Sequence, residues 1–175
     1  MGNEQFPMKQ EETMTEANPH YLRYAIMVAH RSRQHGNRPF GAILVSDRGR
    51  ILLESENTQV AASDCTGHAE TNLLREASRR FTRGLLAHCT LYVNAEPCPM
   101  CAGAVFWSGV GRVVFALSSS RLYALTRDNP DRLLEGCADV LAKGTHRVEV
   151  IGPMIEEEAE QVFRKQPGTP NAIAH

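Results

Sequence analysis

Two short segments of the sequence combine residues that can bind a metal ion with a residue that can move protons. The first is His68-Ala69-Glu70, and the second runs from Pro97 to Cys101 and includes Cys98. Two cysteines three positions apart in the first turn of a helix direct their sulfur atoms to one side, which suits joint ligation of one ion. The helix N-terminus also favours the thiolate form that a metal needs. With the imidazole of His68, the sequence predicts a metal site made of His68, Cys98 and Cys101.

Glu70 lies two residues after His68 and is the candidate for proton transfer. Three protein ligands leave one position of a tetrahedral zinc ion for water, which distinguishes a catalytic site from a structural one. Zinc can lower the pKa of the water that it binds to about 7. The Glu70 carboxylate can take a proton from that water and pass it to a ring nitrogen and a departing amine. The two segments therefore predict zinc-dependent hydrolysis.

The order of these segments resembles a known group of enzymes. The pattern H-x-E followed by P-C-x-x-C is typical of zinc-dependent base deaminases. The longer run TGHAETNLLREA…LYVNAEPCPMCAGAVFWSGVGRVVF resembles the cytidine-deaminase-like superfamily, in its branch of guanine deaminases and tRNA adenosine deaminases. This similarity extends from about Tyr21 to Ala116. It implies an α/β fold, a three-layer α/β/α sandwich with a central mixed sheet, together with a Zn²⁺ cofactor, hydrolytic deamination and a homodimer.

Four further residues are expected to contact the substrate because of this resemblance. Phe40, in Arg38-Pro39-Phe40-Gly41-Ala42, and Trp107 match positions typical of guanine deaminases, where a flat aromatic pocket suits a free planar base. For Phe40, core packing is an equally good interpretation. Asn57 aligns with an asparagine that binds the base or its sugar in both branches, and Ala69 lies between His68 and Glu70.

Two alternative functions stay open on the sequence alone. Cys65 precedes His68 by three residues, so these two with Cys98 and Cys101 offer four ligands for a closed, structural zinc site. Cys65 stands where the resembling families usually carry proline, and this alternative gives Glu70 no role. The second alternative is deamination of adenosine in tRNA, which would require contacts with a phosphate backbone.

The C-terminal third favours a small substrate over RNA. The tRNA deaminases carry a strongly basic last helix, whereas Glu156 to Glu160 is acidic here and is expected to repel phosphate. We therefore predict a free nucleobase-like substrate, with guanine as the first candidate. Cytosine, a pterin or an aminotriazine is an alternative.

The composition is that of one globular domain of 175 residues, of which 42% are hydrophobic and 22% charged. A formal net charge of −1 gives no basic excess for a nucleic-acid partner, although a local patch is compatible with it. No apolar run approaches the roughly 20 residues of a membrane span, and the first residues lack the order of a secretory signal. Five cysteines, an odd number, favour reduced thiols and a cytoplasmic location.

Helices and strands are predicted to alternate around these motifs. Asn18-Pro19 is a typical helix start, with a capping side chain followed by proline, and the helical pattern continues to about His35. The other predicted helices cover about His68–Arg80, Cys98–Gly109, Asn129–Ala142 and Glu156–Arg164. The predicted strands cover Phe40–Ser46, Arg50–Asn57, Thr90–Asn94, Arg112–Ala116 and Arg147–Ile151. Residues 1–17 are predicted to be a flexible leader, 18–165 the deaminase domain and 166–175 a flexible tail.

Overall fold

The computed structural model describes residues 16–126 and 131–164 and contains a mixed sheet between two layers of helices. The strands are β1 (Gly41–Val45), β2 (Ile51–Glu56), β3 (Thr90–Ala95), β4 (Arg112–Leu117) and β5 (Glu149–Ile151). The helices are α1 (Pro19–Gln34), α2 (Gln59–Ala62), α3 (Ala69–Arg80), α4 (Arg83–Leu86), α5 (Pro99–Ser108), α6 (Ser119–Leu125), α7 (Cys137–Ala142) and α8 (Glu156–Glu160).

The sheet has the strand order β2-β1-β3-β4-β5. β1 pairs antiparallel with both β2 and β3, and β3, β4 and β5 run parallel to one another. The carboxyl ends of β3 and β4 therefore lie at the same edge of the sheet. β3 leads through a short turn into α5, so this edge carries the cysteine motif.

Alternating side chains on the central strands separate two apolar cores. Ala42 and Leu44 of β1 face one core with α3, α5 and α7, whereas Ile43 and Val45 face the other with α1 and α8. β3 and β4 follow the same period of two, as expected for strands that are buried on both faces. The three-layer α/β/α sandwich with a central mixed sheet is therefore confirmed.

α1 packs unusually close to the first strand. A Cβ atom on Gly41 would lie 2.5 Å from the backbone oxygen of Ala25 and 2.5 Å from the nitrogen of Ala29. Only glycine allows this approach without moving α1 away from the sheet. At the start of α1, the Asn18 side chain accepts a hydrogen bond from the backbone nitrogen of His20, at 2.9 Å, as the sequence predicts.

The predicted elements in the last third differ from those observed. Residues 131–136 contain no helix, and α7 begins only at Cys137, after a glycine whose backbone is extended. The helix predicted from Glu156 ends at Glu160 and continues as turns to Phe163. The sequence analysis also predicts no element where α6 lies, although Ser118 caps that helix through its side chain. These short helices depend on tertiary contacts more than on their own periodicity.

The predicted leader and tail fall almost entirely outside the described residues, as do Asn129 and Pro130. In the part of the chain that is described, no helix has both the length and the apolar character that a membrane span requires.

Candidate active site

The three predicted metal ligands converge at the start of two neighbouring helices. His68 is the N-cap of α3, Cys98 is the N-cap of α5, and Cys101 lies in the first turn of α5. The Nδ1 atom of His68 is 3.6 Å from the Sγ of Cys98 and 3.4 Å from the Sγ of Cys101, and the two sulfur atoms are 3.7 Å apart. The structure thus brings together the three residues that the sequence predicts as metal ligands, close enough to hold one ion.

The distances fit one tetrahedral zinc ion. Zn–S bonds of about 2.3 Å and a Zn–N bond of about 2.0 Å at tetrahedral angles place two sulfurs about 3.8 Å apart and sulfur and nitrogen about 3.5 Å apart. The observed separations lie within 0.2 Å of these values, from 3.4 to 3.7 Å. His68, Cys98 and Cys101 would therefore hold Zn²⁺ with little rearrangement.

The charges at the cluster also favour a cation. Donation from the neighbouring Cys101 thiol lowers the pKa of Cys98 to about 4, and the adjacent His68 acts in the same direction. The same contact and burial raise the pKa of Cys101. Burial works to lower the pKa of His68, but Cys98 and Glu70 outweigh it and raise the value. A second thiolate so close to the first is unfavourable unless a divalent cation lies between them.

The alternative of a closed site with four ligands, Cys65, His68, Cys98 and Cys101, is not supported by the geometry. Cys65 is exposed, and the group of ligand atoms that lie within 4.8 Å of one another contains His68, Cys98 and Cys101 without it. The backbone oxygen of Cys65 instead accepts a hydrogen bond from the Gln59 side chain at 3.2 Å. A zinc ion bound here keeps one coordination position for a small ligand, as a catalytic site requires. Cys89 and Cys137 are buried, as the sequence predicts.

Glu70 is buried beside the ligand cluster and borders the same cavity as His68 and Cys98. Burial raises the pKa of its carboxyl to about 6, and His68 acts against this rise. A group with this pKa is ionised at neutral pH and is still basic enough to accept a proton. Glu70 follows His68 by two residues, so a candidate metal ligand and a candidate proton acceptor border the same cavity, as the sequence predicts.

The cluster opens into a cavity of about 440 Å³. Its apolar wall includes Phe40 and Phe163, whose ring centroids are 5.3 Å apart, and Leu122, Tyr123 and Leu133. Its polar lining includes Arg38, Gln59, Glu96 and Asp131. Phe40 thus lies where the sequence analysis expects a substrate-contacting residue. Phe163 and the residues of α6 come from the last third, where the sequence offered no motif.

Asn57 and Ala69 do not line this cavity through their side chains. Asn57 is fully buried, and its amide is paired with Gln59: Oδ1 accepts from the Gln59 backbone nitrogen at 3.0 Å and Nδ2 donates to Oε1 at 2.8 Å. The residue at the cavity wall is therefore Gln59, which the sequence analysis missed. The methyl group of Ala69 belongs to the apolar core under α3, so only its backbone could reach a substrate.

The structure does not bring Trp107 into the cavity. Its side chain is 75% exposed and borders a surface groove with Thr71, Leu74 and Arg75. Six residues at about 100° per residue turn Trp107 about 120° around α5 from Cys101, away from the ligand face. The resemblance predicted the position of Trp107 along the chain but not the direction in which its side chain points.

Glu96 is a second residue of the site that the sequence analysis missed. It follows β3 directly, and its two carboxylate oxygens accept hydrogen bonds from the backbone nitrogens of Cys137 and Ser119, both at 2.9 Å. Each of these nitrogens is the first of a helix, α7 and α6 respectively. Glu96 therefore fixes two elements of the last third to the loop that carries the cysteines.

The glutamates of α8 form ion pairs with arginines of the fold, which the sequence alone does not indicate. Glu156, Glu157 and Glu160 lie 3.6, 3.1 and 2.5 Å from Arg121, and Glu158 pairs with Arg23 at 2.8 Å. Hydrogen bonds from Ser118 and Arg121 lower the pKa of Glu156 and Glu160 respectively. The charge of α8 is therefore largely balanced within the fold, so the expectation that it repels phosphate loses its physical basis.

Comparisons with known proteins agree with this geometry. The zinc-binding region of the cytidine and deoxycytidylate deaminases matches residues 15–117. A probable cytosine deaminase of Schizosaccharomyces pombe is 40% identical over 83% of this chain and 90% of its own length. A tRNA-specific adenosine deaminase of Haemophilus influenzae is 36% identical over 67% of this chain and 68% of its own length. The structure of a guanine deaminase from Nitrosomonas europaea is similar with a TM-score of 0.71, at 26% identity over 84% of this chain and 82% of that chain.

Proposed function

This chain belongs to the cytidine and deoxycytidylate deaminase family, and from that premise we propose that it deaminates a free nucleobase or a related amino-heterocycle. The family establishes a zinc-type deaminase that hydrolyses a carbon–nitrogen bond. Guanine, which would yield xanthine and ammonia, is the first candidate substrate. The observation that carries this proposal is the cavity of about 440 Å³ with an aromatic wall beside Glu70 and the ligand cluster.

The lining of the cavity suits a flat ring. Phe40 and Phe163 place two neighbouring aromatic rings at its wall, which also includes apolar side chains of α6 and of Leu133. Planar heterocycles bind to such surfaces by stacking and exclusion of water, while a few polar groups fix their orientation. The similar fold of a guanine deaminase supports a purine as the ring that fits here.

Glu70 is proposed to carry the protons of the reaction. When bound by His68, Cys98 and Cys101, zinc supplies a Lewis acid that makes water a nucleophile at neutral pH. The Glu70 carboxylate takes one proton from the attacking water and passes it to the ring nitrogen, and then takes the remaining hydroxyl proton and passes it to the leaving amine, so that the C–N bond breaks and a carbonyl and ammonia result. Its burial, and the resulting pKa of about 6, suit both accepting and returning this proton.

The residues around the ring are proposed to hold it in place. Phe40 would stack against the base. Asn57 would act indirectly, since both of its amide atoms hold Gln59 at the cavity wall. A contact from Ala69 would use its backbone, because its side chain is buried in the core.

Cytosine is a second candidate substrate because a relative described as a probable cytosine deaminase matches this chain along nearly its whole length. Adenosine in tRNA is a third, supported by the tRNA-specific relative and by the balanced charge of α8. The free-base proposal predicts turnover without any nucleic acid. The tRNA proposal predicts salt-sensitive binding of RNA, which a gel-shift experiment at low salt would detect.

The test of the proposed function is ammonia release from a panel of guanine, cytosine, a pterin, aminotriazines, nucleosides and tRNA. We expect turnover of at least one free base by the zinc-loaded protein. Glu70→Gln and Glu70→Ala should keep zinc and lose activity by about 10²–10⁴-fold, because only proton transfer is removed. Glu157→Gln, whose wild-type side chain is 81% exposed, is the matched control and should retain activity. Wild-type rates in the Glu70 variants would refute the mechanism.

The assembly and location implied by the family resemblance complete the proposal. We expect a homodimer that acts in the cytoplasm. Light scattering of the purified protein would measure the oligomeric state, and cell fractionation would test the cytoplasmic location.

A further inference from the structure

Arg38 brings a guanidinium group to the cavity that holds Glu70 and the ligand cluster. Its Nε atom is buried, and within residues 16–126 and 131–164 no atom accepts a hydrogen bond from it. Burial lowers the pKa of Arg38, while Asp131 acts in the opposite direction. A buried donor without a partner is costly, and the side chain that carries it borders the cavity.

The backbone at Arg38 is held firmly from two sides. The Ser32 hydroxyl donates to the carbonyl oxygen of Arg38 at 2.7 Å. The buried Asn94 donates to the carbonyl oxygen of Pro39 at 3.0 Å and accepts from the backbone nitrogen of Gly41 at 2.9 Å. These bonds tie the segment to α1 and to β3, which continues into the cysteine loop. The backbone that carries the Arg38 side chain is therefore fixed relative to the proposed catalytic residues.

The other charged groups of the cavity are engaged in holding the fold. Glu96 accepts from two helix N-termini, and Arg132 donates to the carbonyl oxygen of Thr126 at 3.3 Å and lies 5.6 Å from the centre of the Tyr123 ring. The Nε atom of Arg38, in contrast, donates to no protein group among those described. Arg38 therefore keeps a donor for a ring bound in the cavity that it borders.

We propose that Arg38 donates a hydrogen bond to an acceptor oxygen on the substrate ring and so selects oxo-substituted bases. The inference rests on the proposed function, because it concerns a free base in that cavity. The guanidinium has five N–H donors and no acceptor, and its planar fork matches a carbonyl oxygen and an adjacent ring nitrogen, as arginine does with the O6 and N7 atoms of guanine. A ring without that oxygen leaves the buried donor unpaired, which is how polar sites reject analogues.

The experiment compares two substrates that lose the same amine. Guanine and 2-aminopurine both carry the 2-amino group, but only guanine carries the oxygen at C6. We expect Arg38→Met to lower kcat/KM for guanine by about 10–10²-fold and to change that for 2-aminopurine by less than about threefold. The ratio of kcat/KM for guanine to kcat/KM for 2-aminopurine should therefore decrease strongly. Arg38→Lys, which keeps a donor but not the fork, should restore part of the preference.

Arg79→Met, which removes an exposed arginine on α3, is the control and should leave the ratio of the two kcat/KM values unchanged. Circular dichroism and zinc content of each variant establish that the fold and the metal are retained. If the substrate proves to be cytosine, the matched pair is cytosine and 4-aminopyrimidine, which lacks the oxygen on the ring. The ratio of their kcat/KM values should then decrease in the same way.

An unchanged ratio in a folded Arg38→Met protein overturns the inference and leaves the proposed function standing. An equal loss for both substrates also overturns it, because a structural role of Arg38 does not distinguish the two rings. Failure of the zinc-loaded wild-type protein to deaminate any free base refutes the proposed function instead, before any variant is compared.

Discussion

The two regions that meet at the cavity are held together by different forces. The ligand cluster and Glu70 lie on α3 and α5, whose inner faces pack into one apolar core with β1, β3 and β4. The segment after β4, which supplies α6, α7 and α8, places apolar residues of α7 and α8 in the two cores and is further attached through carboxylates. Glu96 binds the first nitrogens of α6 and α7, and Arg121 of α6 contacts three glutamates of α8.

Because of this difference, the residues proposed to carry out the reaction lie in the first region, and part of the residues proposed to select the substrate lie in the second. Apolar packing over a large area fixes the ligands and Glu70 to within the small tolerance that a metal site needs. The walls that contact a ring come partly from Phe163, Leu122 and Leu133, in the segment that polar contacts attach. Changes in the first region should therefore abolish the reaction, whereas changes in the second should alter substrate binding and stability.

The largest effect is expected from Cys98→Ser, which tests the first region. Loss of one thiolate ligand should lower zinc content well below one ion per chain and reduce activity by at least ~10³-fold, because a Lewis acid contributes several kcal/mol. Mass spectrometry of bound metal and the ammonia assay measure both quantities. The exposed Cys65→Ser is the matched control, and loss of zinc in that variant would show that the site is not the three-ligand cluster.

A smaller effect is expected from Glu96→Gln, which tests the attachment between the regions. An amide offers one acceptor oxygen, and its NH₂ group would face the second backbone N–H, so one of the two helix starts loses its partner. We expect a loss of about 1–2 kcal/mol in the free energy of unfolding, with KM raised more than kcat is lowered. Urea unfolding measures the free energy of unfolding, and steady-state kinetics measures KM and kcat.

Glu76→Gln, on the exposed face of α3, is the control for Glu96→Gln. If Glu96→Gln lowered kcat alone and left KM and stability unchanged, the separation between the two regions would be wrong.

The smallest effect is expected from Arg121→Met, and it should depend on pH. The pKa values of Glu156 and Glu160 are lowered by hydrogen bonds from Ser118 and Arg121 respectively. Their ionised forms therefore stabilise the fold at neutral pH, and this contribution disappears as the pH falls below the ordinary glutamate value of about 4.3. The difference in stability between wild type and variant should be measurable at pH 7 and smaller at about pH 3.5.

Metal-free samples at both pH values keep zinc loss from contributing to this difference. A stability difference that stays constant between the two pH values would mean that Arg121 acts through packing and not through charge.

The sequence predicted the parts of the fold that local patterns encode. The capping pair at Asn18, the apolar run of β1 and the helix starts at His68 and Cys98 depend on neighbours a few residues away. The last third was predicted less well, because α6 and α7 begin where Glu96 accepts from their backbone nitrogens. A partner so far away in sequence leaves no local signal.

By itself the sequence predicted His68, Glu70, Cys98 and Cys101 as the candidate catalytic set, because residues two and three positions apart at helix starts can direct their side chains to one site. Only the tertiary structure decided the walls of the cavity. It brought Arg38 and Glu70 to one cavity, paired Asn57 with Gln59, and turned Trp107 outward. The physical reason is that a cavity is formed by side chains from distant segments, whose directions depend on how helices and strands pack.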